Sequence, residues 1–176
     1  MAADARGYSE TLSRRYDSDL SAIFGGPDRG DLDYFAAAAA AADGPICEIG
    51  AGTGRVVLVA AEAAPGREVT GVEPSASMRA ELTRRLAEAP PDVARRVRAV
   101  DGSFTHVPLP DASQALVYSA FRSFQHLLDG EDQLAGLREI RRLLRPGGVL
   151  TIDLFDPSYD LLTDAEPTLA VAYETP

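Results

Sequence analysis

From residue 46 onward, short apolar runs alternate with longer amphipathic ones, a rhythm that predicts strands exchanging with helices. Residues 46–49 predict a strand, 55–64 a helix closed by Pro65 and Gly66, and 68–73 a second strand. A helix follows over 75–89, with Met78, Leu82 and Leu86 at spacings of four and Ser75 or Ser77 as its cap. Residues 97–101 predict a third strand and 115–120 a fourth. A helix over 132–144 sets Leu134, Leu137, Ile140, Leu143 and Leu144 on one side, and 149–155 predict a fifth strand. Such alternation builds a mostly parallel sheet covered on both faces. Upstream, residues 1–30 are polar with a loop over 24–31, and an alanine-rich helix over 32–42 ends at Asp43, Gly44 and Pro45. No internal repeat or linker interrupts the pattern, so one α/β domain is expected.

Composition narrows the function. The 176 residues, 45% hydrophobic, suit a single domain with a sizeable core. A formal net charge of -10 opposes binding to a phosphate backbone, so no nucleic-acid partner is expected. All 17 basic residues are arginine, which removes lysine Schiff-base and Walker-type chemistry. Cys47 is the only cysteine, which suits a reducing, cytoplasmic compartment, and as part of the first strand it reads as a buried, inert thiol. No run approaches the length of a membrane span, so no membrane partner is expected. His106, His126 and Cys47 form no metal-ligand spacing, so no metal is expected.

The chemistry is concentrated in ICEIGAGTGRV, residues 46–56. Gly50, Gly52 and Gly54 follow the first strand, where open α/β sheets bind ligands. Glycine allows a tight turn and lets backbone approach a ligand, while the next helix offers free N–H groups. A dinucleotide fingerprint needs a third glycine where Arg55 stands, which counts against a nicotinamide oxidoreductase, the third-ranked reading. Glu48, two residues before the first glycine, repels phosphate and suits an ammonium or sulfonium ligand.

ICEIGAGTG resembles the E/D-x-G-x-G-x-G signature of class I S-adenosylmethionine-dependent methyltransferases. Three later stretches agree in order: Val72-Glu73-Pro74, Val100-Asp101-Gly102-Ser103, and Leu144-Arg145-Pro146-Gly147-Gly148-Val149-Leu150. The resemblance covers roughly residues 30–156 and implies a doubly wound, Rossmann-like sheet in the order 3-2-1-4-5. It also implies S-adenosyl-L-methionine as cofactor, with S-adenosyl-L-homocysteine as product. Residues 1–45 would then form a helical cap over the cofactor, 46–156 the α/β binding core, and 157–176 the start of an incomplete lid or C-terminal region. Cofactor contacts would come from Glu48, Gly50, Ala51, Gly52, Glu73, Pro74, Asp101, Gly102, Ser103 and Ala120. Glu73 would accept both ribose hydroxyls, and Asp101 the exocyclic amine of adenine.

The segment Tyr118-Ser119-Ala120-Phe121-Arg122-Ser123-Phe124-Gln125-His126-Leu127 resembles the loop after strand four in small-molecule methyltransferases, including bacterial amino-sugar N-methyltransferases. That likeness makes His126 the candidate base or acceptor-orienting residue, against a helix-capping or packing histidine. Tyr16 and Asp17 resemble the Tyr-Asp of the segment that closes over the cofactor, and Tyr16 joins the catalytic candidates. Arg122 is a candidate for holding an acceptor's carboxylate or phosphate, against a surface ion pair. Phe121 and Phe124 either wall the acceptor pocket or belong to the core. His106 is expected at the surface beyond the adenine.

The family sheet has seven strands, of which five are identifiable, and residues 157–176 offer at most a short helix and a strand over 169–174. A shortened chain, a natural truncation, and a partner chain that completes the sheet edge as a homodimer all fit this pattern. The leading expectation is methyl transfer to a nitrogen or oxygen of a small molecule, nitrogen ahead. The alternative is a non-catalytic or truncated S-adenosylmethionine-binding module.

Overall fold

A computed structural model describes residues 9–24 and 30–156. The strand expected over 169–174, and all of 157–176, lie outside the described residues. Five strands form one sheet in the order β3-β2-β1-β4-β5, the expected order, and every pairing is parallel. They are β1 (Ile46–Ile49), β2 (Val69–Val72), β3 (Val97–Val100), β4 (Gln114–Ser119) and β5 (Leu144–Ile152). All residues of β1, β2 and β4 are buried, which is why these strands read as mostly apolar runs without polar alternation.

One face of the sheet packs against α2 (Asp31–Ala41) and α3 (Arg55–Ala63), where Phe35 lies 5.0 Å from the ring of Tyr118. The alanines of α2 permit this close approach: Ala39 is fully buried in the same cluster as Val57, Ala60 and Ala61. The other face gathers Cys47, Ile49, Val117, Phe104 and Phe124 with Ile140 and Leu143 of α6 (Gly130–Leu143). The helix α4 (Ala76–Glu88) starts at Ser75, whose side chain accepts from the Met78 amide at 3.2 Å, fulfilling the first of the two expected caps.

The structure departs from the sequence reading in four places. The polar stretch before residue 24 holds a helix, α1 (Glu10–Phe24), docked on α4 through Ser13, whose hydroxyl lies 3.1 Å from that of Ser77. A short helix, α5 (Pro91–Arg96), precedes β3, with Pro91 at the first helical position where its missing N–H costs nothing. In α6 the buried stripe is Gly136, Ile140 and Leu143, while Leu134 and Leu137 are exposed. Gly136 recentres the stripe, because the absent side chain lets the helix settle onto Leu127, Phe104 and Phe124. Finally, β5 pairs from Leu144 onward, with a register shift against Gln114 and Leu116 that absorbs the Pro-Gly-Gly turn.

Candidate functional site

The end of β1 is joined to β2 by its own backbone: the amides of Gly50 and Ala51 both donate to the Val72 carbonyl, at 2.8 and 3.0 Å. The turn then runs through Gly50, Gly52 and Gly54 at φ of 81°, 55° and 86°. Their tasks differ. A Cβ on Gly50 would stand 2.5 Å from Ser123, and one on Gly54 would stand 2.2 Å from Leu82, so these two glycines serve packing. A Cβ on Gly52 would meet nothing within 4 Å. Gly52 alone faces open space, and that space is a cavity of about 360 Å³ at the carboxyl ends of the strands.

Two carboxylates face this cavity from below the turn. Glu48, 2% exposed, accepts from the Tyr118 hydroxyl at 3.2 Å. Burial drives its pKa well above the ordinary carboxylate range, against smaller opposing pulls from the Tyr118 hydroxyl and Arg55. Burial and the neighbouring Glu48 likewise push Tyr118 upward. Glu73, 7% exposed, is gripped at both oxygens, by the Gly52 amide and the Ser75 amide, each at 2.9 Å. Each oxygen of a carboxylate carries a further acceptor site, so Glu73 can still receive ligand hydroxyls.

The roof comes from α1. Tyr16, Asp17 and Leu20 line the cavity, and Asp17 accepts from the Thr53 hydroxyl at 2.9 Å while also pairing with Arg85 of α4. Arg55 lines the cavity too and is locked to Asp31 by two hydrogen bonds of 3.0 and 2.5 Å. On the far side stand Ser103 and Thr105 from the loop after β3, with hydroxyls 3.2 Å apart. Ala120, Phe121 and His126 close the circuit from the segment after β4.

The structure therefore assembles eleven of the residues singled out from the sequence around one cavity: Tyr16, Glu48, Gly50, Ala51, Gly52, Glu73, Pro74, Ser103, Ala120, Phe121 and His126. Four others stand elsewhere. Asp101 is 75% exposed and pairs with Arg79 at 2.9 Å, the same guanidinium that donates to the Glu73 carbonyl at 2.6 Å. Gly102 is tucked against Val72 and the His106 carbonyl, and neither residue lines the cavity. Phe124 is buried in the core, edge-on to Phe104 at 5.4 Å. Arg122 lines a second, neighbouring cavity.

His126 is exposed, at the end of a 3-10 turn (Ser123–His126), and the cap of α6 is Asp129. Neither packing nor helix capping explains this histidine. His106 is exposed as expected, its backbone bridged to Ser103. Sequence reasoning missed the lining roles of Thr53 and Arg55. The Arg55 partner lies 24 residues away, where no local motif reports it.

Among the described residues, no cluster of three or more His, Cys, Asp or Glu could hold a metal ion, and no helix is long and apolar enough to cross a membrane.

Residues 46–148 match the family described as "Methyltransferase domain". The chain is similar to an uncharacterized methyltransferase of Geobacillus kaustophilus, 32% identical over 133 residues, covering 76% of this chain and 55% of that protein. Its fold is similar to that of the CcbJ methyltransferase from Streptomyces caelestis: TM-score 0.63, 35% identity, 71% of this chain and 52% of the other. It is also similar to the glycopeptide N-methyltransferase MtfA complexed with S-adenosyl-L-methionine: TM-score 0.61, 31% identity, 69% of this chain and 52% of the other. The chain spans about half the length of these relatives.

Proposed function

The chain belongs to the class I S-adenosylmethionine-dependent methyltransferases, and from that membership we propose that it transfers a methyl group to a nitrogen or oxygen of a small molecule, nitrogen being favoured. The observation that carries this reading is the open Gly52 ledge, flanked by two buried carboxylates, with His126 on the same cavity. The residues present fit the cofactor. A side chain at Gly52 would project into the space the ligand needs, and Glu48 is a buried acid held toward its neutral form, which a cationic group beside it would draw back to the charged one.

In this proposal Glu48 meets the cationic methionine end, Glu73 accepts the ribose hydroxyls, and Ser103 borders the adenine. Bound there, S-adenosylmethionine supplies an electrophilic methyl group. The chain's own contribution is alignment, desolvation and proton removal. Leu20, Phe104 and Phe121 give the cavity apolar lining that would disfavour water beside a bound ligand, and Tyr16 lines it from α1. His126 stands where it can take the acceptor's proton or orient its nucleophile, and histidine as a residue type exchanges protons near neutral pH. MtfA, an N-methyltransferase by name, lends weight to nitrogen.

One observation favours a second reading, in which the chain binds the cofactor without turnover. Among the described residues β5 has no neighbour beyond it, and Val149, Leu154 and Phe155 are exposed on or just after it. Screening amine and hydroxyl acceptors separates the two: methylated product supports transfer, and cofactor binding with no product from any acceptor supports the module. We also propose a cytoplasmic location. Burial, with Glu48 adding to it, pushes the Cys47 thiol far upward, which leaves it unreactive.

A further inference from the structure

Beyond the end of β4 the chain does something costly. Phe121 and Arg122 are consecutive non-glycine residues in the left-handed region, at φ of 49° and 64°. Each is strained by its Cβ in that region, and such a pair persists only where its surroundings hold it. The holding groups come from the residues that follow β5. Asp153 accepts from the Phe121 amide through Oδ2 at 2.9 Å, while its own amide donates to the Ser119 carbonyl at 2.9 Å. Two residues on, Phe155 donates to Gln125 Oε1 at 2.8 Å, and Gln125 Nε2 returns a bond to the Phe155 carbonyl at 3.2 Å. The Arg122 guanidinium lies 5.1 Å from the Phe121 ring centre and 4.7 Å from that of Phe155.

What this clamp holds in place is a wall. Phe121 lines the cofactor cavity and also a second cavity of about 680 Å³, bordered by Tyr34, Leu154 and Phe155. Beside it is the locked pair Arg55–Asp31, with Arg55 on the first cavity and Asp31 on the second. The Arg55 guanidinium stands 6.0 Å from the Phe121 ring centre, so the ion pair flanks the ring.

We propose that Asp153 is a positioning residue that fixes Phe121 as a wall of the cofactor cavity. The inference rests on the cofactor reading given above. A strut that merely joined β4 to β5 would use the backbone bond from Asp153 to Ser119 and would not require its carboxylate. The carboxylate bonds the one amide whose residue faces both cavities.

The test combines residue-resolved amide hydrogen exchange with titration of S-adenosylhomocysteine, on the wild-type chain, Asp153→Ala and Asp153→Asn. In Asp153→Ala the Phe121 amide should exchange ~10-fold faster or more, with β1 amides unchanged, because a bond to a charged acceptor is lost locally. The ligand should bind about 10-fold more weakly on the same scale. Asp153→Asn, whose amide oxygen can accept the same bond, should restore most of both. Should the alanine variant not fold, Asp153→Glu carries the test, since the displaced oxygen should also expose the Phe121 amide and weaken binding. Two results overturn the proposal: protection and affinity equal to wild type, or exchange that accelerates equally in β1 and at Phe121. Failure of the wild-type chain to bind the ligand is a different outcome, and it removes the cofactor reading on which the proposal stands.

Discussion

The Gly52 amide donates to Glu73 Oε2 at 2.9 Å, tying the turn after β1 to the end of β2. With the Ser75 amide on the other oxygen, one carboxylate braces the open ledge and starts α4. In the proposed reading the same side chain would take the ribose, so it would both shape the ledge and receive what sits on it.

Glu73→Ala should therefore weaken S-adenosylhomocysteine binding by about 1.5–3 kcal/mol, the scale for hydrogen bonds to a charged group. Glu73→Gln should fall between, since one oxygen remains to accept the Gly52 amide. Calorimetric titration of the three proteins checks the order, and an alanine variant with wild-type affinity removes the ribose assignment.

The division of labour among the glycines gives a paired prediction. Gly54→Ala places a Cβ against Leu82 at positive φ and should cost about 2–4 kcal/mol of stability, from overpacking plus strain. Gly52→Ala meets open space, so its stability cost should stay near the strain alone, about 1 kcal/mol, while ligand affinity falls ~10-fold or more as the ledge is filled. Chemical denaturation and titration on both variants decide it. Equal stability losses with equal affinities would erase the distinction.

Glu48 yields a pH dependence whose sign is fixed by burial. Its folded pKa is raised, so the folded chain holds this proton more tightly than the unfolded chain. The stability this site contributes is complete below the ordinary glutamate value of about 4.3 and is lost as pH rises through the higher folded value. Glu48→Gln removes the titration, so the stability difference should move in the variant's favour as pH rises from about 4 toward neutrality. Denaturant unfolding of both proteins across that range measures it, and a flat or reversed trend contradicts the account. The variant should also lose affinity for the cationic ligand at neutral pH.

His126→Ala should leave folding and cofactor affinity near wild type, because the side chain is exposed and caps no helix. Turnover with an acceptor should drop by about 100-fold or more, the scale of general acid–base catalysis. Undiminished turnover would relieve the residue of a direct role.

Much of this architecture was legible because the governing signals are local and apolar. The buried runs of β1, β2 and β4 announce a parallel sheet, and Ser75 announces α4 three residues before the amide it caps. What stayed hidden depends on polar contacts between distant residues. The contacts that dock α1 include the Ser13–Ser77 hydroxyl pair and the Asp17–Thr53 bond, which apolar periodicity does not detect. Asp101 stands at the end of β3 as the motif suggests, yet Arg79 draws its carboxylate outward, an outcome set by a side chain 22 residues earlier. The three glycines read alike in sequence and separate only when their neighbours, Ser123, Leu82 and open space, are in place.

The most direct test is calorimetric titration of the chain with S-adenosylhomocysteine and, in parallel, with NADH. The account predicts saturable one-to-one binding of the sulfur nucleoside and none of the dinucleotide. A folded chain that ignores the first, or prefers the second, contradicts it.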